Sequence, residues 1–309
     1  MDLHRLPAWQ LAGILEEETG EWAARLHWNF RPSADLVERY VGMRSLDGVA
    51  LLDRGEVVGY SYYVQEERKG LIGDLYLIRA VRSAEGERHL LDAVLAMLAR
   101  NPVTRRVEAQ LMMLDATVEP PPAGGSEAWS YSRQFMLASL ADAGRLPERG
   151  ARGLLYENWS PRWMEASSGL IADVYRDHVD SRINDQYRSP AGARRFLHNI
   201  VHFPGCGQFR QEASYLALEA ATGSLAGICL ATRVAPDTGH ITQVCVARRW
   251  QGFGVGYEMM RRSLVSLLYD GCREVSLTVT ASNAGAVSLY ERMGFSTLRT
   301  FRAFVWDGM

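Results

Sequence analysis

Residues 244–256 read Val244-Cys245-Val246-Ala247-Arg248-Arg249-Trp250-Gln251-Gly252-Phe253-Gly254-Val255-Gly256, and they join a strand pattern to a helix through a glycine-rich turn. Glycines let the main chain turn sharply and bring unpaired amide N–H groups close to a ligand. The helix that begins there directs the positive end of its dipole to the same point. The sequence therefore predicts an anion-binding site whose ligand carries phosphate.

The spacing of the glycines argues against two common phosphate sites. A dinucleotide fingerprint has glycines at relative positions one, three and six, whereas Gly252, Gly254 and Gly256 occupy one, three and five and Tyr257 follows. A nucleotide triphosphate loop needs Gly-Lys followed by Ser or Thr, and the single lysine of the chain, Lys69, lies far from the turn. A nicotinamide, a flavin or ATP is therefore not the expected ligand.

A second element begins 27 residues after Gly256. It is the stretch Asn283-Ala284-Gly285-Ala286-Val287-Ser288-Leu289-Tyr290-Glu291-Arg292-Met293-Gly294-Phe295, which predicts a short helix that ends at a glycine and is followed by a strand. Between the two elements, apolar residues at helical spacing predict a helix from Gly254 to about Asp270, and Glu274 to Thr280 alternates as a strand.

Together the two elements resemble the GNAT (Gcn5-related N-acetyltransferase) superfamily. Its acetyl-CoA motif, Gln/Arg-x-x-Gly-x-Gly/Ala, is matched by Gln251, Gly254 and Gly256. Its second element, an Asn followed seven residues later by Tyr and then by Gly-Phe, is matched by Asn283 and Tyr290. The resemblance implies an N-acetyltransferase (EC 2.3.1) that uses acetyl-CoA (coenzyme A) as co-substrate and needs no metal.

The resemblance also implies roles for individual residues. Tyr290 would protonate the departing thiolate, and the main-chain groups near Val244 and Val246 would bind the pantetheine arm and polarise the thioester. Asn283 would contact the coenzyme, although an asparagine there is also a good helix N-cap and a tyrosine on such a helix is commonly part of a core. The pyrophosphate would be held by Gln251, Gly252, Phe253, Gly254, Val255 and Gly256.

The general base is less clearly marked. Some GNAT members carry a glutamate eleven residues before the Gln/Arg of the motif, and His240 occupies that position. Imidazole has an unperturbed pKa near 6.5, which suits proton abstraction. His240 is therefore the candidate base by resemblance, with a structural histidine as the alternative and Glu219 and Glu212 as further candidates.

Composition limits the class of protein. The chain has 309 residues, 47% hydrophobic and 23% charged, with a net charge of -2, which is typical of a globular protein of two domains that binds no nucleic acid. Apolar stretches too short to cross a bilayer and an amino terminus without a secretory pattern predict a cytoplasmic protein that does not bind membranes. The four cysteines lack disulfide or zinc spacing. Oligomeric state cannot be read from these features.

The sequence also contains an internal repeat, at an offset of about 167 residues. Strand, strand and helix patterns at Gly55–Gly59, Gly73–Ala80 and Ala84–Arg100 correspond to those around the glycine turn, and two helical patterns precede each set. This predicts an α/β protein of two tandem GNAT folds, each a mostly antiparallel twisted sheet flanked by helices. The predicted domains are residues 1–158 and 159–309, a layout similar to that of the mycothiol synthases.

The first copy is expected to be degenerate. Laying Gly73 on Gly239 places Glu85, Arg88 and Leu90 opposite Gln251, Gly254 and Gly256, and Leu140 falls opposite Tyr290. In the same copy, residues 119–125 predict a loop and residues 127–143 a helix. Catalysis is therefore expected in the carboxyl-terminal domain.

The acceptor is not marked by a signature. Residues 180–190, between two predicted helices, mix both charges with Tyr187 and are either a selective lid or a solvated connection. We expect a primary amine of a small molecule or a peptide as acceptor. The alternative function is a non-catalytic acyl-CoA-binding or regulatory module.

Overall fold

The computed structural model describes the main chain of residues 1–309 and the side chains of all of them except Pro204. The chain divides into two compact units. Unit 1 comprises residues 1–133 and 300–309, and unit 2 comprises residues 134–299. The domain boundary that the sequence predicts, between residues 158 and 159, stays a prediction.

Unit 1 begins with two helices, which pack on strands that follow them. Its elements are α1 (Ala12–Leu26), α2 (Arg31–Gly42), β1 (Asp47–Asp53), β2 (Glu56–Glu66), β3 (Lys69–Leu77), α3 (Ala84–Arg100), β4 (Arg106–Gln110) and the first part of β5 (Ala128–Ser139). The strands pair in the order β1-β2-β3-β4, antiparallel except for the parallel pair β3-β4. Residues 303–307 of the last strand of the chain then pair antiparallel with β4.

Unit 2 repeats this plan. Its elements are the rest of β5, β6 (Leu154–Asn158), α4 (Met164–Val174), α5 (Asp180–Ile183), α6 (Pro190–His202), β7 (Gln208–Phe209), β8 (Tyr215–Glu219), β9 (Leu225–Ala235), β10 (Thr238–Val246), α7 (Val255–Tyr269), β11 (Glu274–Thr280), α8 (Ala284–Arg292) and the start of β12 (Ser296–Asp307). β10 pairs parallel with β11, and the pairs β10-β9, β9-β8, β8-β6 and β7-β9 are antiparallel.

The predicted fold class is confirmed, because each unit is a mostly antiparallel sheet flanked by helices. Several predicted elements match closely, among them α3 at residues 84–100 and β11 at residues 274–280. The helix predicted over residues 127–143 is wrong, since most of this stretch forms β5. Its Trp, Tyr and Phe residues favour an extended chain, and burial of consecutive residues, Phe135 and Met136, hides the alternation that marks a strand.

The structure also refines the repeat. The parallel pairs start at Lys69 in unit 1 and at Thr238 in unit 2, which is an offset of 238 − 69 = 169 residues. Each unit has an irregular, unpaired residue four positions later, Gly73 in one and Thr242 in the other, at the same offset. The alignment of Gly73 with Gly239 was therefore displaced by three residues, and Gly70 is the equivalent of Gly239.

The irregular residues Gly73 and Thr242 are β-bulges, and each lies where the pairing of β3 or β10 with its parallel neighbour ends. In unit 2 the described pairs of β10 and β11 run from Thr238 to Ile241 and end there. The remainder of β10 still pairs with β9 as far as Val246. A bulge disrupts the ladder and increases the local twist, so one edge of β10 is open beyond residue 242.

Among the residues that the structure describes, every helix is too short or too polar to cross a membrane. The predicted cytoplasmic location stays a prediction.

Unit 1 contains a buried pair of acidic side chains, Glu18 on α1 and Asp74 on β3. Glu18 is 0% exposed and Asp74 is 5% exposed. Tyr60 donates a hydrogen bond to Glu18 Oε2 over 2.6 Å, and the amide of Leu75 donates to Asp74 Oδ1 over 2.8 Å. Burial raises the pKa of Glu18 well above its ordinary value and raises the pKa of Asp74 to about 6. The folded state therefore binds protons more strongly here than the unfolded chain does.

Because of this pair, the free energy of unfolding is expected to fall as pH rises from 3.8, the ordinary pKa of Asp74, through about 6. Asp74→Asn keeps an acceptor for Leu75 and removes the charge, so it should be about 1–3 kcal/mol more stable than the wild type at pH 7.5 and lose part of the pH dependence. Denaturant titrations at pH 4.5, 6 and 7.5 measure this. Asp35→Asn, at an exposed position of α2, is the control. An unchanged pH slope in Asp74→Asn would contradict the expectation.

Candidate functional site

The open edge of β10 presents main-chain groups of Val244 and Val246. Ala247 donates its N–H to the carbonyl of Ala226 on the β9 side over 2.8 Å. Successive residues of an extended chain present their N–H and C=O groups to opposite edges, so those of Val246 and Val244 face the open edge. In agreement, the Val246 carbonyl accepts a hydrogen bond from Gln251 Nε2 over 3.0 Å.

The turn after β10 has the backbone geometry that glycine allows. Gly252 and Gly254 have φ angles of +82° and +80°, in the left-handed region that disfavours other residues. Gly254 is the residue that precedes α7, and the first helical residue is Val255. The free N–H groups of the first turn of α7 therefore point out of the helix beside the open edge of β10. This arrangement suits an anion.

The open edge, the turn and the start of α8 line one cleft with a volume of about 1400 Å³. We call it the binding cleft. It contains all nine residues predicted to bind the coenzyme: Val244, Val246, Gln251, Gly252, Phe253, Gly254, Val255, Gly256 and Asn283. Small-molecule sites commonly have volumes of 300–1,000 Å³, so the cleft is large enough for an extended ligand. The fold thus brings these predicted residues into one cleft, although they are up to 39 positions apart in the sequence, from Val244 to Asn283.

The two residues of the second element are placed differently. Asn283 caps α8, where its Oδ1 accepts the N–H of Ala286 over 3.3 Å, and its Nδ2 lies 3.4 Å from His178 Nε2 in the cleft wall. Tyr290 is half-buried against the core of unit 2 and stands behind the cleft wall, next to Leu289. Burial is the main cause of the raised pKa of Tyr175, and Tyr290 adds a smaller contribution to it.

Sequence reasoning missed Tyr175 and His178, which line the cleft at the end of α4. Tyr175 donates a hydrogen bond to the Val244 carbonyl over 3.4 Å and accepts one from Gln243 Nε2 over 3.0 Å. Burial raises its pKa, so its hydroxyl keeps its proton at neutral pH. Both residues fall within residues 165–179, a stretch whose pattern predicts a helix, whereas α4 ends at Val174 and Asp177 has a positive φ. The signal available in the sequence was the spacing of three residues between Tyr175 and His178, which places two such side chains on the same face of a helix.

His240 lies elsewhere, in the paired part of β10. It is 8% exposed, its Nδ1 lies 2.9 Å from Ser276 Oγ, and it is absent from the residues that line the cleft. Burial lowers its pKa to about 3. Such an imidazole stays neutral at physiological pH but accepts a proton weakly. The assignment of His240 as the base stays a prediction, and this environment does not favour it.

Glu219, one of the two further candidates for the base, is hydrogen-bonded to residues that precede the glycine turn. It accepts hydrogen bonds from Trp250 Nε1 and Arg249 Nε, both over 2.7 Å. These bonds lower its pKa to about 2, so it remains a carboxylate that anchors the turn. Arg249 therefore points away from the cleft, whereas Arg248 is in the cleft wall. Glu212, the other fallback, lies in a turn outside the cleft wall.

The equivalent junction of unit 1 is built from different residues. Ser83 precedes α3 as Gly254 precedes α7, so Ser83 and Glu85 take the positions of Gly254 and Gly256, in place of the Arg88 and Leu90 expected from the sequence. Ser83 Oγ accepts the N–H of Gly86 over 3.1 Å, which uses one of the free amides of this helix start. The first turn of α3 also carries Glu85 and Glu87, whose negative charges disfavour an anionic ligand there.

Comparison with known proteins finds a family match that contains most of the residues that line the cleft. Residues 172–295 match the Acetyltransferase (GNAT) family. This range contains the glycine turn, the open edge of β10 and α8. Residues 172–295 are therefore a GNAT acetyltransferase domain.

Two curated relatives resemble parts of the chain. One is the N-alpha-acetyltransferase MAK3 of Arabidopsis thaliana, 32% identical over 71 residues, which are 23% of this chain and 37% of that protein. The other is the mycothiol acetyltransferase of Paenarthrobacter aurescens, 28% identical over 223 residues, which are 64% of this chain and 65% of that protein. The chain thus spans less than two thirds of the length of either relative.

A solved structure is similar to this chain over nearly its whole length. It is a tandem GNAT protein from the clavulanic acid biosynthesis pathway, with a TM-score of 0.60 and 15% sequence identity over 95% of this chain and 96% of that one. At this identity the likeness concerns the fold, and it agrees with two tandem GNAT folds.

Proposed function

We propose that this chain is an acetyl-CoA-dependent N-acetyltransferase whose active site is the binding cleft of unit 2. The observation that carries the proposal is the open edge of β10 beside a helix start whose turn has two glycines in left-handed conformation. The edge supplies amides for a pantetheine arm, and the turn supplies amides for a pyrophosphate. These two sets of amides lie in one cleft, as an extended coenzyme requires.

The reaction divides into three tasks. The amine nitrogen attacks the thioester carbon, the N–C bond forms, the C–S bond breaks, and the sulfur leaves with a proton. We assign stabilisation of the oxyanion to main-chain N–H groups on the open edge, at Val244 or Val246. We assign protonation of the sulfur to Tyr290. The amine gives up its proton to a base, for which His240 stays the prediction from sequence.

The acceptor is proposed to be a primary amine of a peptide or a small molecule. The two relatives are named for transfer to amino termini and for mycothiol, so both classes belong among the test substrates. The cleft extends past Tyr175 and His178, whose ring centroids are 5.2 Å apart and whose rings are perpendicular. An acceptor that enters on this side would meet the open edge of β10.

The test is a transfer assay with acetyl-CoA and a panel of amines. The panel contains peptides with free amino termini, amino acids, amino sugars and mycothiol without its acetyl group. Free thiol is followed with a chromogenic disulfide, and acetylated product by mass spectrometry. The proposal expects product from at least one amine. Tight binding of acetyl-CoA without product across the panel would favour the non-catalytic acyl-CoA-binding module instead.

A further inference from the structure

One wall of the binding cleft comes from outside the GNAT match. Leu146, Pro147 and Arg149 line the cleft, although they precede β6 and the matched residues 172–295. They follow a short 3-10 helix at residues 143–145. The glycine turn and this segment therefore face the same ligand space.

Main-chain contacts fix the position of Arg149 against the turn. Its N–H donates to Glu258 Oε2 over 3.0 Å, and Glu258, 1% exposed, also holds Arg261 and Arg262. The main-chain carbonyl oxygen of Arg149 lies 3.4 Å from the position that a Cβ atom on Gly254 would occupy. The segment thus packs directly on the residue that precedes α7.

The Arg149 side chain is directed by an aromatic ring. Its guanidinium carbon lies over the ring of Tyr257, 5.0 Å from the ring centroid. A cation–π contact of this kind leaves the N–H donors of the guanidinium able to form a bidentate pair with a phosphate. The other cleft arginines have protein partners: Arg176 pairs with Asp173, Arg248 donates to the Arg176 carbonyl, and Arg292 donates to Ser288.

Coenzyme A carries a phosphate that the turn amides do not serve. Its pyrophosphate matches a row of main-chain N–H groups, but its 3′-phosphate is a monoester with close to two negative charges at neutral pH. We propose that Arg149 binds the 3′-phosphate, so that the cleft distinguishes coenzyme A from 3′-dephospho-coenzyme A. This assignment rests on the proposed function of the cleft and adds a specificity-determining residue to it.

The experiment is calorimetric titration of both ligands into the full chain. The wild type is expected to bind coenzyme A about 10- to 100-fold more tightly than 3′-dephospho-coenzyme A, since hydrogen bonds to charged groups are that strong. Arg149→Ala should lose this preference through weaker binding of coenzyme A alone. Arg145→Ala, an exposed arginine that pairs with Asp142, is the matched control and should keep the preference.

Two outcomes would overturn the assignment. Equal weakening of both ligands in Arg149→Ala would show that Arg149 acts on a shared part of the ligand or on the fold, and unchanged binding would show no contact. Thermal unfolding of each variant checks that the fold persists. Failure of the proposed function looks different, because then the wild type itself would bind neither ligand, or would bind coenzyme A and give no product with any amine of the panel.

Discussion

Tyr290→Phe is expected to lower kcat about 100- to 1000-fold, because removal of a general acid costs this much, while the affinity for acetyl-CoA stays within about threefold of the wild type. The change removes one oxygen and keeps the ring, which packs against Phe295 with centroids 6.0 Å apart. The fold and the coenzyme contacts should therefore persist. Steady-state kinetics with the best amine and calorimetry with acetyl-CoA measure the two quantities separately.

Two further tyrosines sharpen this test. Tyr269→Phe is the matched control, since Tyr269 is 87% exposed at the end of α7 that lies away from the glycine turn. This variant should have the activity and the affinity of the wild type. Tyr175→Phe removes the hydroxyl that contacts the Val244 carbonyl. If Tyr290→Phe turns over normally and Tyr175→Phe does not, the acid is Tyr175 and our assignment is wrong.

Gly254→Val is expected to weaken acetyl-CoA binding by about 100-fold, equivalent to the loss of one or two hydrogen bonds between amides and a phosphate. Gly254 has a φ of +80°, which a β-branched residue adopts only with strain, and the new side chain would meet the Arg149 carbonyl. The turn must rearrange, so its amides would no longer converge on the ligand. Calorimetric titration with acetyl-CoA gives the change in Kd.

The control for this variant is Gly271→Val, at the opposite end of the same helix. Gly271 has a φ of +90°, so the substitution introduces comparable strain about 22 Å from the turn, given a rise of about 1.5 Å per residue. Both variants should lose stability, and only Gly254→Val should lose affinity. Equal affinity of the two variants would contradict the role of the turn.

The geometry of the glycine turn and of the start of α8 could be predicted from the sequence because short-range chemistry determines it. Gly252 and Gly254 are needed for their positive φ, and Asn283 for its cap, so the local sequence specifies both geometries. The alternation of β10 likewise places Val244 and Val246 on one edge. Local sequence does not show that the glycine turn and the segment 283–295 lie side by side, and the resemblance to the GNAT superfamily predicted this.

The other walls could not be predicted because tertiary packing determines them. Arg149 reaches the cleft through contacts with Glu258, 109 residues away, and its local sequence resembles a surface loop. β5 was mistaken for a helix because its pairing is long-range. His240 matched a position in a motif, but its burial depends on neighbours such as Phe135 and Ser276, whose proximity is not visible in the sequence.

A crystal structure of the full chain soaked with coenzyme A shows directly whether the binding cleft holds the coenzyme. We expect one molecule per chain, with its pyrophosphate within hydrogen-bond distance of the main-chain amides of residues 251–256 and its pantetheine arm along Val244 and Val246. Coenzyme A bound in unit 1 alone, or an empty cleft in unit 2 at saturating ligand, would show that the binding cleft is not the coenzyme site.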